Sequence, residues 1–307
     1  MKILKLIIGV TSVFILVSCA GEAMTREDID WFQYSENMQV NGINVHYLDI
    51  DIAGTEHTLV YIHGYSSCNL EATFFAEYLQ NDMRIIAPDL PGCGYTDKPN
   101  VDYTTGYFVE FVRDFIDELG IENYTLLGHS MGGKIASTFA YEYGDELNRL
   151  ILMAPLGIEG EAGPFLTTLS NAGLLVDVGL SLNNPAFFRI GLENIIFYDP
   201  DNMPEIMVPY FTNWLFTEEA IRSVVSVTKH VIGYDYVDEL LSEIEVNTLI
   251  IWGVNDELLP YRYADEFHSR LPNSRLVSFD RCGHMPQVER SEDSARVISA
   301  FIRNGDR

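Results

Sequence analysis

The six residues from Gly128 to Gly133, which read G-H-S-M-G-G, constrain the fold of this chain more than any other segment. They follow an apolar run over 124–127 and precede a helical pattern over 134–141. A G-x-S-x-G sequence between a strand and a helix forms a nucleophile elbow, a sharp turn that exposes the serine hydroxyl at the edge of the sheet. The pattern therefore predicts Ser130 as a nucleophile in an α/β chain.

Two segments downstream of Ser130 carry the other groups that a serine nucleophile requires. A serine needs a general base, and the base needs an orienting carboxylate. Chains with this elbow have the order serine, acid, histidine. Asp256 follows the strand predicted at 246–253, and His284 follows the strand predicted at 275–279. Because sites gather at the carboxyl ends of parallel strands, the sequence predicts a triad of these three residues.

Other residues compete for these roles, and each predicted member also has a purely structural interpretation. Asp256 would suit the cap of the next helix, and the histidine would suit a surface loop. The rival acids are Asp235, Asp238 and Asp280, and Asp280 ranks first among them because it lies closest in sequence to the histidine. The rival base is His268, which falls on the face of a predicted helix. The joint occurrence of three residues in the expected order favours the triad.

An acyl-transfer intermediate would also require hydrogen-bond donors for its oxyanion. One donor is the N–H after the nucleophile, here that of Met131, and the other comes from the loop after the third strand. An apolar strand over 58–62 leads into His63, Gly64 and Tyr65. The backbone N–H of Tyr65 is therefore the second predicted donor, whereas His63 is expected to hydrogen-bond within the loop.

These motifs together resemble the α/β-hydrolase superfamily, of the serine esterase and lipase type. The resemblance includes the loop over 87–97 as well as the elbow and the two later sites. It implies an α/β fold with a mostly parallel eight-stranded sheet, helices on both faces and an inserted helical cap. The core is expected over 38–154 and 241–307, and the cap over 155–240, where the apolar content favours an acyl or alkyl substrate.

The resemblance implies a serine hydrolase that cleaves carboxylic esters through an acyl-enzyme, either an esterase or a monoacylglycerol-type lipase, with no metal or organic cofactor. Dehalogenases and epoxide hydrolases of this superfamily carry Asp where this chain has Ser130. Carbon–carbon hydrolases usually carry Asn before the nucleophile and Trp after the histidine, where this chain has His129 and Met285. Carbon–carbon, lactone and amide cleavage remain alternatives, as does a non-catalytic binding protein on the same scaffold.

The N-terminus carries a separate signal. Lys2 and Lys5 flank the start of an apolar stretch over 6–17, which is typical of a secretory signal and too short for a comfortable membrane span. The residues that end at Cys19 resemble a bacterial lipobox. This resemblance implies a lipoprotein signal peptide over 1–18 and lipidation of Cys19.

The predicted tether over 19–37 would then join the lipid anchor to the core. Ala20 follows the cysteine, where Asp would imply retention at the inner membrane. The chain is therefore expected to be extracytoplasmic and anchored to a bacterial membrane, specifically the outer membrane.

Composition limits the partners. The 307 residues carry a formal charge of −26, and no basic cluster is present to hold phosphates, which disfavours nucleic acid. The expected partners are a small apolar ester-like substrate and the membrane. Because Cys68 and Cys93 follow strands expected to be neighbours, a disulfide between them is a further hypothesis.

Overall fold

The structure is a computed structural model, and part of the chain lies outside its description. It describes residues 33–52, 54–55, 57–79, 81–160, 185–232 and 234–303. The predicted signal peptide, the lipidation site Cys19, most of the tether and residues 161–184 of the predicted cap lie outside the described residues.

The described residues form an eight-stranded sheet. Its strands are β1 (Ser35–Val40), β2 (Ile43–Ile50), β3 (Thr58–Ile62), β4 (Arg84–Pro88), β5 (Tyr124–His129), β6 (Leu147–Met153), β7 (Thr248–Gly253) and β8 (Ser274–Phe279). Their spatial order is β1-β2-β4-β3-β5-β6-β7-β8. Strand β2 pairs antiparallel with β1 and β4, and the other pairings are parallel. The predicted mostly parallel, eight-stranded sheet is confirmed.

Local sequence explains how the sheet begins and how its centre is buried. Asn41 and Gly42 connect β1 to β2 with φ of 50° and 81°. Positive φ at both central residues fits the turn that matches the twist of a hairpin. Every residue of β5 and β7 is buried, as expected for parallel strands that are covered on both faces.

Helices cover both faces of the sheet. The described helices are α1 (Leu70–Leu79), α2 (Thr105–Glu118), α3 (Met131–Tyr143), α4 (Pro185–Gly191), α5 (Met207–Leu215), α6 (Glu218–His230), α7 (Arg262–Arg270), α8 (Pro286–Glu289) and α9 (Ser291–Arg303). Shorter helical turns cover Gly144–Glu146, Leu192–Ile196, Pro200–Asn202 and Leu241–Glu243. No described helix combines the length and apolar character that a membrane crossing requires.

Two apolar clusters lie on opposite faces of the sheet. Phe115 of α2, Ile135 of α3 and Phe267 of α7 belong to one cluster. Phe75 of α1 and Ile298 of α9 belong to the other. Consecutive strand residues supply alternate clusters because successive side chains of a strand point to opposite faces. Packing of helices on both faces holds the sheet in place, and with it the loops at the carboxyl ends of the strands.

A third apolar cluster joins the segment between β6 and β7, here called the insertion, to the loops that follow β3 and β4. It contains Phe211 and Trp214 of α5 together with Cys68, Cys93 and Met285. Burial of these apolar groups, at about 25 cal/mol per Å², holds the described part of the insertion against the sheet edge that carries the predicted site.

The hypothesised Cys68–Cys93 disulfide is absent from the structure. Both cysteines are buried free thiols in the same apolar cluster. Burial raises the pKa of the Cys93 thiol to about 12 and that of Cys68 well above its usual value. These residues therefore act as small apolar side chains, and their thiolates are strongly disfavoured.

Candidate active site

Ser130 occupies the turn between β5 and α3. Its φ of 55° and ψ of −118° lie in a region that a side chain rarely adopts. Its backbone N–H donates to Met153 O at 3.0 Å, and its carbonyl accepts from Gly133 N at 2.9 Å and from Leu156 N at 2.9 Å. These bonds to two neighbouring segments hold the strained turn in place.

Two glycines permit the close approach that this turn requires. A Cβ at Gly132 would lie 2.2 Å from the carbonyl oxygen of Ile62 at the end of β3. A Cβ at Gly128 would lie 2.1 Å from the carbonyl oxygen of Gly132. Any side chain at either position would therefore push backbone segments apart at Ser130.

Asp256 and His284 lie in direct contact. His284 Nδ1 is 2.7 Å from Asp256 Oδ2, and both side chains are buried. Asp256 Oδ1 accepts from the backbone N–H groups of Leu258 and Leu259 at 2.9 and 2.8 Å. Because a carboxylate only accepts hydrogen bonds, Nδ1 carries the proton and Nε2 is left as the basic nitrogen.

Hydrogen bonds to the insertion, to β5 and to α8 hold the loop that carries His284. The backbone N–H of His284 donates to Ile196 O of the insertion at 2.8 Å. Its carbonyl accepts from His129 Nε2 at 2.9 Å. Glu289 accepts from Gly283 N at 2.9 Å and from Tyr198 N at 2.7 Å. Burial raises the pKa of Glu289 to about 7, although the backbone donors oppose that shift.

The rival acids and base lie elsewhere. Asp238 pairs with Arg270, and Asp235 and Asp280 are exposed. His268 is a surface residue whose Nδ1 lies 2.9 Å from Ser274 Oγ. The described residues place Asp256 against His284, and they show none of these rivals in such a contact.

The loop after β3 lies beside Ser130. A Cβ at Gly64 would lie 3.2 Å from Ser130 Cβ. The side chain of the next residue, Tyr65, reaches the insertion, where its hydroxyl lies 2.6 Å from Thr228 Oγ1 of α6. Met131 begins α3, so its N–H is among those that lack a partner within the helix. Both predicted oxyanion donors thus belong to segments that meet at Ser130.

His63 has the structural role expected of it. Its Nδ1 donates to Gly64 O at 2.9 Å, and its Nε2 accepts from Leu90 N at 3.0 Å. Burial lowers the pKa of His63 and keeps the ring neutral. The ring thereby links the loop after β3 to the loop after β4.

Sequence reasoning missed a buried polar group behind the triad. Glu71 of α1 lies 3.0 Å from His129 Nδ1 and accepts hydrogen bonds from Tyr61, Ser67 and Gln287. An acidic residue in the first turn of a helix is an ordinary feature of sequence. Its burial beneath the elbow is visible only once α1 is packed against the sheet.

Comparison with known proteins identifies the family. The model of the alpha/beta hydrolase fold matches residues 57–223, just over half of the chain. An uncharacterized hydrolase of Bacillus subtilis is 28% identical, with 86% of this chain and 96% of that protein covered. The 2-hydroxy-6-oxo-6-phenylhexa-2,4-dienoate hydrolase of Burkholderia cepacia is 26% identical, with 86% and 94% covered.

Solved structures show the same fold. The crystal structure of a membrane phospholipase A, described as a bacterial virulence factor, has a TM-score of 0.76 and 26% identity. The match covers 88% of this chain and 86% of that one. With its sheet, its elbow and this family match, the chain belongs to the α/β-hydrolase fold family and is a hydrolase.

Proposed function

We propose that this hydrolase cleaves carboxylic esters through an acyl-enzyme formed on Ser130. The observation that carries the proposal is the contact of 2.7 Å between Asp256 and His284, at the same sheet edge as a serine held in a strained elbow. An acid that fixes the histidine tautomer leaves Nε2 free to remove a proton from a serine.

The reaction follows from these roles. His284 takes the hydroxyl proton of Ser130 as the serine oxygen attacks the ester carbonyl. The N–H groups of Tyr65 and Met131 donate to the oxyanion of the tetrahedral intermediate, where one such donor typically contributes about 10²–10³ in rate. His284 then gives its proton to the leaving alcohol, and water hydrolyses the acyl-enzyme in a second, equivalent step.

An apolar acyl group suits the surroundings of this site. Met285, next to His284 in the chain, belongs to the cluster that contains Phe211 and Trp214 of the insertion. An acyl group that is buried beside His284 and this apolar insertion would gain roughly 0.8 kcal/mol for each methylene. The likeness to a membrane phospholipase A, a protein named for ester hydrolysis, supports the same substrate class.

Carbon–carbon bond hydrolysis is the second candidate because of the 26% identity to the Burkholderia cepacia dienoate hydrolase. Two residues argue against it. His129 precedes the serine and Met285 follows the histidine, where those enzymes usually carry Asn and Trp.

Hydrolysis of p-nitrophenyl esters of increasing acyl length tests the proposal. The wild type and the variant Ser130→Ala should be compared with a serine-directed fluorophosphonate probe, and the dienoate substrate should be assayed in parallel. We expect ester turnover and labelling in the wild type, and loss of both in the variant. Turnover of the dienoate alone would favour the second candidate, whereas a folded, unlabelled wild type would contradict both.

The N-terminal signal supports a lipid anchor on Cys19. In this proposal the signal peptide over 1–18 is removed and acyl chains on the cysteine hold the enzyme at the outer membrane, because more than one chain gives stable anchoring. Cys19→Ser should move the protein from the membrane fraction to the soluble fraction. Equal distribution of both forms, or an unmodified mass of the mature N-terminus, would contradict it.

A further inference from the structure

The buried side chain of His129 connects three parts of the proposed active site. These parts are the backbone of His284, Glu71 of α1 and the loop at Gly64. His129 lies between Gly128 and Ser130 at the end of β5, and its side chain is almost fully buried. Its Nε2 lies 2.9 Å from the carbonyl oxygen of His284, and its Nδ1 lies 3.0 Å from Glu71 Oε2. A Cβ on Gly64 would lie 3.3 Å from the same Nδ1.

The protonation of His129 follows from its partners. A carbonyl oxygen only accepts hydrogen bonds, so Nε2 must donate to His284 O. On the other side, Glu71 already accepts hydrogen bonds from Ser67, Tyr61 and Gln287. A carboxyl group that accepts three donors is held in its ionised form. The contact between Glu71 and His129 Nδ1 is therefore a hydrogen bond only when Nδ1 also carries a proton, which makes the ring an imidazolium.

The electrostatic balance around the ring agrees with this assignment. Burial alone lowers the pKa of His129, but the adjacent Glu71 carboxylate outweighs burial and raises it. Burial alone raises the pKa of Glu71, but His129 and the hydrogen-bond donors lower it to about 2. The other titratable groups around the ring are His63, Asp256 and His284. The ring centroids of His284 and His129 lie 4.9 Å apart.

We propose that His129 is a doubly protonated positioning residue, paired with Glu71, that holds the backbone of His284 and the loop at Gly64 at fixed distances from Ser130. The part of the proposal that concerns catalysis rests on the proposed function. Because β5 carries His129 immediately before the nucleophile, displacement of this ring shifts the base and the oxyanion loop relative to the serine. A misplacement of about 1 Å in such a site costs about 100-fold in rate.

Nuclear magnetic resonance of the wild-type protein tests the protonation directly. With ¹⁵N-labelled histidine, we expect one buried ring with protons on both nitrogens at about pH 7.5, above the usual histidine pKa of about 6.5. Its signals should be absent from His129→Gln. A singly protonated His129 at that pH would overturn the ion pair. This readout does not depend on ester turnover, so it separates failure of this inference from failure of the proposed function.

Two amide variants separate the contacts of His129. A glutamine places its amide nitrogen close to the position of Nε2 and retains a donor for His284, whereas an asparagine places it close to Nδ1 and does not. With p-nitrophenyl acetate, we expect His129→Asn to lower kcat by about 100-fold with KM changed less than about two-fold, and His129→Gln to recover part of that loss.

Variants of α1 test the partner of the ring. We expect Glu71→Gln to lower kcat in the same manner, and Glu77→Gln, at an exposed position of the same helix, to retain wild-type kcat. Equal kcat in His129→Asn, Glu71→Gln and Glu77→Gln would overturn the positioning role. If the buried variants fail to fold, the resonance measurement on the wild type still decides the ion pair.

Discussion

The two carboxylate oxygens of Asp256 have different partners. One faces His284, and the other accepts hydrogen bonds from the loop that follows Asp256 itself. Oδ2 lies 2.7 Å from His284 Nδ1, and Oδ1 accepts from Leu258 and Leu259 N. The second pair of bonds fixes which oxygen points at the ring. The same residue therefore orders its loop and selects the histidine tautomer.

Because the two oxygens of Asp256 have different partners, the effect of Asp256→Asn can be predicted. The N–H groups of Leu258 and Leu259 will still donate to the side-chain oxygen of the new asparagine. Its NH₂ group will therefore face His284, whose Nδ1 must then accept a hydrogen bond. The proton then moves to Nε2, which can no longer act as a base, and kcat should fall about 10³–10⁴-fold. The control is Asp280→Asn, at an exposed position. Ester kinetics and circular dichroism will check both, and equal losses in the two variants would contradict the assignment of the acid.

The strain at Ser130 predicts a gain in stability when it is relieved. A side chain at φ 55° and ψ −118° costs on the order of 1–3 kcal/mol, which glycine avoids. Ser130→Gly should therefore raise the free energy of unfolding by about 1 kcal/mol while it abolishes ester turnover. Ser130→Ala, which keeps the strain, is the matched control. Urea unfolding will measure both, and a glycine variant no more stable than the alanine variant would argue against a strained elbow.

The packing of Gly132 predicts that it does not tolerate a methyl group. The new Cβ would lie 2.2 Å from Ile62 O and 2.6 Å from His63 O, both backbone atoms. Gly132→Ala should destabilise the protein by more than about 3 kcal/mol. Gly106→Ala in α2 is the control, because its Cβ has no neighbour within 4 Å, and it should gain roughly 0.5–1 kcal/mol. Thermal unfolding that ranks the two variants in the opposite order would refute the close approach.

The Glu71–His129 pair predicts a pH dependence of stability. The lowered pKa of Glu71, about 2, contributes stability that is present above its usual value of about 4.5 and is lost as pH falls through about 2. The raised pKa of His129 contributes stability that is complete below its usual value of 6.5 and is lost as pH rises through the folded value. The pair thus stabilises the fold most between these limits.

Urea unfolding of the wild type and of His129→Gln will measure this contribution. We expect the wild type to exceed the variant by more at about pH 6 than at about pH 9. The control is His268→Gln, at a surface position, which should match the wild type at both. A difference that is constant or that grows with pH would contradict the charged state of His129.

Short-range patterns were sufficient for much of the fold. The apolar strand before Ser130 and the helix after it depend on neighbours in the chain, and both occur in the structure. In contrast, the disulfide hypothesis failed, because neighbouring strands do not by themselves decide whether two buried thiols are joined.

The sequence by itself determined the order of the elements, the family and the identity of Ser130 as the candidate nucleophile. These follow from local rules: glycine spacing, apolar period and the position of polar residues after strands. Only the tertiary structure decided that Asp256, rather than Asp280, meets His284, and that Glu71 lies beneath the elbow against His129. Such contacts join residues 28 and 58 positions apart. They depend on how the sheet brings loops together, and on desolvation that no local pattern records.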